Sequence, residues 1–388
     1  MRDTTRSAAV ALTVAAVLTA CSPAPAARPP AVPSPAAPAP PRVPSAPELP
    51  GRPVYVAFAG ERSAFALLAE CDGEGDDLRC RQHIAALEDG RWRLRRSPLP
   101  DVAGGDGITA GIHALAPGQA LIVAGTGREP DRTWFTADGA RTWTRGTTEV
   151  TGTAEAIPPG AMLTTECLAV RSGSCGRNRL VLVMPGTGEY RALATQPGLT
   201  GLLSTAGTTR DGARWASGLD PATELPALAV TYDDGRTWQT RPVPGPGAKD
   251  TWGLRVVDAG TALYATERGQ LPPEEVVKNG LRAIHRSTDK GRTWERVWSY
   301  RSGRNPLSIL ADPIATADGT LTINAELGVY RSTDGGRTFQ GPLGGVPSGT
   351  ATWTPPVGYL WSDGQGQGTY KISLDGLNWH EFTLGGRG

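Results

Sequence analysis

The chain has 388 residues, with 39 Lys and Arg against 38 Asp and Glu, a formal net charge of +1. That balance leaves no basic footprint for nucleic acid. No H-E-x-x-H, G-x-S-x-G or P-loop spacing occurs, and neither a metal site nor a cofactor is expected.

In chain order the first element is a targeting segment. Arg2 and Arg6 give a short positive start, and Ala8 to Leu18 run almost wholly apolar. Such a run is too short for a permanent membrane span and reads as a secretory signal, residues 1–20. Leu18-Thr19-Ala20-Cys21 resembles a lipobox, which implies acylation of the Cys21 thiol and cleavage before it. Residues 21–50, nearly all Pro, Ala, Ser and Arg after the cysteine, cannot bury a core and read as a semi-rigid stalk. The expected address is the outer face of the cytoplasmic membrane, reached through the lipid.

Four further cysteines form two close pairs, Cys71 with Cys80 and Cys167 with Cys175. In an exported chain they read as loop-stapling disulfides. Neither pair has C-x-x-C or zinc-finger histidine spacing. His83, His113, His285 and His380 are scattered through strand-like contexts and read as structural.

From residue 51 to 388 a repeat organises the chain. Its copies are Thr136-Ala137-Asp138-Gly139-Ala140-Arg141-Thr142-Trp143, Thr231 to Trp238, Ser287 to Trp294 and Ser332 to Phe339, the first carrying Ala140 where the others have Gly. Degenerate copies end at Trp92 and Trp379. Asp and Ser/Thr side chains suit the backbone of a tight turn, and Gly supplies positive φ. Strand-like runs enter and leave each copy, and the closing aromatic reads as a packing residue. A double-length gap between 143 and 238 holds Leu180 to Met184, a Pro185–Gly188 turn and Tyr190, read as a unit whose turn motif has eroded. Units then end near 92, 143, 190, 238, 294, 339 and 379. Each has room for four short strands, and long helical patterns are absent. This predicts one all-β domain, a β-propeller of seven four-stranded blades.

The repeat resembles the Asp box, or BNR repeat, of sialidase-like, sortilin-like and photosystem II assembly-factor-like propellers. The resemblance implies that Asp138, Trp143, Asp233, Trp238, Asp289, Trp294, Asp334 and Phe339 are structural, on the face opposite the binding site. Function is then expected in the loops of the other face. Those loops supply Arg128, Asp220, Glu224, Arg268 and Glu326 as candidate ligand contacts, with no catalytic residue assigned. Two functions compete. The favoured one is a monomeric, non-enzymatic envelope propeller binding a glycan, peptide or envelope protein. The alternative is a sialidase-like exo-glycosidase acting on cell-surface or extracellular glycans. Sialidases carry Phe/Tyr-Arg-Ile-Pro near the start of the domain, where this chain has Gly51-Arg52-Pro53-Val54-Tyr55. Tyr300 with Arg301 and Arg304 is a candidate fragment of such a site.

Overall fold

The computed structural model describes residues 39–103, 108–125, 131–171, 174–245, 251–364 and 366–386. The signal segment, Cys21, most of the expected stalk and Arg128 lie outside the described residues.

The described residues form a seven-bladed β-propeller. Blade 1 contains Arg52–Gly60, Ser63–Asp72, Arg79–Glu88 and Arg91–Arg95, and Val102–Ala103 adds a short strand. Blade 2 contains Gly111–Ala116, Gln119–Ala124, Arg132–Thr136 and Thr144–Thr147. Blade 3 contains Val150–Ala154, Met162–Arg171, Ser174–Val183 and Tyr190–Leu193. Blade 4 contains Thr200–Thr208, Arg214–Leu219, Pro226–Thr231 and Gln239–Pro242. Blade 5 contains Thr251–Asp258, Leu263–Gly269, Leu281–Ser287 and Glu295–Ser299. Blade 6 contains Ile314–Ala315, Leu321–Ala325, Gly328–Ser332 and Gln340–Leu343. Blade 7 contains Gly349–Trp353, Tyr359–Asp363, Thr369–Ser373 and His380–Thr383.

The core lies between blades. One buried cluster joins Tyr264 and Trp298 of blade 5 to Tyr330 of blade 6 and Tyr359 of blade 7. Another joins Phe58 and Leu68 of blade 1 to Ile372 and Phe382 of blade 7 and so closes the ring. Each sheet buries both faces against its neighbours, which suits strands as continuously apolar as Pro226–Thr231.

The repeat supplies the turn between third and fourth strands. At Ser287–Trp294, Ser287 Oγ donates to Asp289 Oδ1 at 2.8 Å and accepts the Gly291 N–H at 2.8 Å. Asp289 accepts the Thr293 N–H at 2.9 Å and its hydroxyl at 2.6 Å. The hydroxyl and N–H of Thr293 hold the Asp289 carboxyl at about 2, below its ordinary value; Asp233 is lowered to about 2 in the same way by Thr237. Thr136, Thr231 and Ser332 repeat the pattern. In the shortened last copy, Asn378 replaces the threonine and donates Nδ2–H to Asp375 at 2.8 Å. Gly291 has φ +78°, and a Cβ there would lie 2.2 Å from the Trp215 ring. Ala140 holds the matching place at φ 65°, its methyl buried between blades 1 and 2. The closing aromatics reach the preceding blade, where Trp294 meets Trp215 edge-on at 5.9 Å and Phe339 meets Trp298 at 6.4 Å.

Blade 3 departs from the pattern. Val150–Ala154 sits on its outer edge, parallel to Tyr190–Leu193, and the sheet then runs inward through Ser174–Val183 to Met162–Arg171. The inner strands of blades 1, 2, 4 and 7 end beside one channel cavity, whereas blade 3 presents Met162 and Leu163, the start of its inner strand, to that cavity. This inner strand therefore runs opposite to those four. The segment between Thr147 and Met162 forms an outer strand and a crossing, leaving blade 3 without an ordinary first strand. The turn around Pro185–Gly188 takes the repeat-turn position, with Gly188 packed on Phe135 of blade 2.

The folded unit also begins earlier than residue 51. Val43, Ala46 and Leu49 are buried. Ala46 bridges Leu384 in parallel, its N–H donating to the Thr383 carbonyl at 2.7 Å. Trp92 Nε1 donates to the Pro44 carbonyl at 2.9 Å, and His380 Nε2 meets the Val43 carbonyl at 2.8 Å. Residues 43–49 thus clasp the joint between blades 7 and 1 and are not stalk. The apolar spacing of Val43, Ala46 and Leu49 was masked by the proline-rich composition around them.

Candidate functional site

The repeat turns occupy one end of the propeller, and the loops between second and third strands occupy the other. Both cystines lie at the loop end. Cys71–Cys80 staples the blade 1 loop across paired strand residues, and Cys167–Cys175 staples the blade 3 hairpin.

The candidate ligand contacts do not converge. Asp220 Oδ1 accepts the N–H groups of Ala222 and Thr223, each at 2.9 Å, and so builds its own loop. Glu224 closes that loop at φ 56°. Glu326 accepts the N–H groups of Lys278 at 3.0 Å and Asn279 at 2.8 Å, tying the long blade 5 loop to blade 6. Asp220 and Glu326 thus accept from loop backbone, as polar side chains in turns commonly do. Arg268 lies within a strand, not in a loop, and reaches the segment leading into blade 6, where it donates to the Ala311 carbonyl.

There Arg268 joins a cluster that no sequence spacing reveals. Asp312, 3% exposed at its side chain, is shared by Arg255 and Arg268, each with a closest approach of 3.2 Å. Asp312 also accepts the Trp353 N–H at 3.0 Å. Burial lowers the Arg268 pKa, and Asp312 opposes that shift. One carboxylate between two guanidiniums leaves a net positive centre joining blades 5, 6 and 7. Trp353 reaches further, donating Nε1–H to the Thr208 carbonyl of blade 4 at 2.8 Å, with the Arg210 guanidinium 4.8 Å from its ring.

The loop end carries an exposed apolar arc. Leu168 and Val170 project from the blade 3 hairpin, Leu202 from the start of blade 4 and Trp252 from the start of blade 5, with Trp252 57% exposed. The three blades are laced together beneath it. Asn178, opposite Cys167, exchanges hydrogen bonds with Leu203 at 2.7 and 2.8 Å. The Leu254 N–H donates to Ser217 Oγ at 2.9 Å. The sequence offered no signal for this arc, since each residue sits singly within a strand-like run.

A second pocket, about 410 Å³, opens on blade 5 beside Leu271, Arg282, Arg296 and Tyr300. Tyr300 donates to Glu275 at 2.9 Å, and burial, then Glu275, raises the phenol's pKa. Behind it the buried Glu267 lies 3.3 Å from Arg282 and 3.7 Å from His285. Arg304 points elsewhere, bonding the Arg337 carbonyl and covering the Trp298 ring. Among the described residues no three His, Cys, Asp or Glu side chains gather as metal ligands.

No family model matches the chain. No curated protein matches it either. Among solved structures it is similar to the GH74 enzyme of Niastella koreensis, at 14% identity over 84% of this chain and 54% of that one, with a TM-score of 0.32. It is similar also to the Hadza microbial sialidase Hz136, at 13% identity over 86% of this chain and 65% of that one, with a TM-score of 0.36. A third likeness is to the β-propeller domain of the trilobed protease from Pyrococcus furiosus, at 10% identity over 85% and 97% of the two chains and a TM-score of 0.39. The chain spans between about half and two thirds of the first two. The class, a seven-bladed β-propeller, rests on the sheet order and not on these likenesses.

Proposed function

We propose that the chain is an exported lipoprotein, anchored through Cys21 and held off the membrane by its Pro/Ala-rich segment, whose Asp-box propeller is a non-catalytic binding module. The arc of Leu168, Val170, Leu202 and Trp252 on the loop face is the observation that carries this reading. Apolar side chains gathered on rigid strand ends and left in water mark interaction sites. Tryptophan is the residue type most often found at the energetic centre of an interface. Asp220 and Glu326, by contrast, are engaged with loop backbone.

The hydrogen-bonded Tyr300 and Glu275 beside Arg282 and Arg296 favour a second reading, a sialidase-like exo-glycosidase. A phenol next to a carboxylate and guanidiniums is the set such chemistry uses on a carboxylated sugar. Incubating the domain 39–388 with fluorogenic sialosides and other glycosides separates the two. A binding module releases no fluorophore above a buffer blank. Turnover that disappears in Tyr300→Phe, or on a loop-face substitution, assigns a hydrolase and overturns the binding reading.

A further inference from the structure

The cavity at the repeat-turn end of the central channel has an unusual lining. It measures about 770 Å³, within the roughly 300–1,000 Å³ typical of small-molecule pockets. Phe58, Leu115, Met162 and Trp353 give it apolar walls. Among the described residues its charged lining is Arg214 and Arg255, with no carboxylate. The reversed inner strand of blade 3 presents Met162 to this space, and the Trp353 bond to Thr208 fixes the opposite wall.

Both guanidiniums point to an anionic oxygen. Arg255 shares Asp312 with Arg268, so one carboxylate balances two cations. Arg214 lines the cavity as well, and burial lowers its guanidinium's pKa against the opposing charge of Asp234. A carboxylate or phosphate oxygen entering a cavity lined by guanidiniums gains charge-assisted bonds that a neutral head group does not.

We propose that this cavity binds a single-headed amphipathic anion, an acyl or aryl body carrying a carboxylate or phosphate. The head sits at Arg214 and Arg255, and the body lies against Phe58, Leu115 and Met162. The site lies at the opposite end from the apolar arc and does not depend on the loop-face reading.

Titration calorimetry of the domain 39–388 with dodecanoate, dodecyl phosphate and dodecanol, each below its micelle threshold, tests this. Either anion is expected to bind at least about tenfold tighter than dodecanol, and the tighter of the two names the head group. Arg214→Met weakens the anion by about tenfold and spares dodecanol, while Arg214→Lys retains part of the affinity. Ala59→Trp, which fills the cavity from blade 1, abolishes binding of all three probes. Trp252→Ala, on the loop face, leaves the affinities for all three probes unaltered, so a failure here is distinct from a failure of the binding-module reading. The proposal is overturned if dodecanol matches the anions. It is overturned equally if no anion binds, or if binding survives both Arg214→Met and Ala59→Trp in variants that melt like the parent.

Discussion

At Ser332 a single buried hydroxyl donates to Asp334 Oδ1 at 2.7 Å while accepting the N–H of Gly336 at 2.9 Å. Removing it leaves that buried N–H without its acceptor, and the cost is about 1–2 kcal/mol. Ser332→Ala is therefore expected to lower stability by that amount in urea unfolding. Ser332→Thr is expected to stay within about 0.5 kcal/mol, because Thr136 and Thr231 fill the same position in two other turns. Equal losses in the two variants would show that the hydroxyl is not what holds the turn. These bonds were legible in the sequence because every partner lies within four residues. Asp312 was not, since Arg255 and Arg268 lie 57 and 44 residues away and no spacing ties them together. The loop-backbone bonds of Asp220 and Glu326 were hidden for a related reason. A carboxylate in a loop looks the same on the page whether it awaits a ligand or caps its own backbone.

Among elements, the blades with intact repeat turns were readable from alternating runs and turn chemistry, and the hairpin joining Leu180–Val183 to Tyr190 was found without its motif. The path of blade 3 was not readable. Strand order and direction depend on what packs outside Val150–Ala154, and a five-residue strand records no partner in its own pattern. The clasp at residues 43–49 was hidden by composition. Burying Val43 and Leu49 contributes about 1.5–3 kcal/mol each as an upper estimate, and the bonds from Trp92 and His380 add to that. A domain starting at residue 51 is expected to be about 3–5 kcal/mol less stable than one starting at 39. Matched urea unfolding curves of the two would measure it, and coincident midpoints would mean that the segment merely rests on the surface.

Across the whole molecule, the ring separates two kinds of surface. The repeat-turn end is held by short local hydrogen bonds and encloses the channel cavity. The loop end carries both cystines and the apolar arc on blades 3 to 5. Residues that bind on such a scaffold usually sit on its connecting loops and strand ends, where the sheets fix their positions. The proposed binding-module reading accordingly assigns the contact surface to the loop face.

The most direct measurement is site-specific photocrosslinking in living cells, with a photoreactive residue placed in turn at Leu202 and Trp252 on the loop face and at Tyr232 and Leu377 on the repeat-turn face. Adducts of discrete mass are expected from Leu202 and Trp252 alone, and an excess of the purified domain 39–388 should compete them away. Adducts of equal yield from Tyr232 and Leu377, or none from the loop face, would contradict a binding module that works through that face.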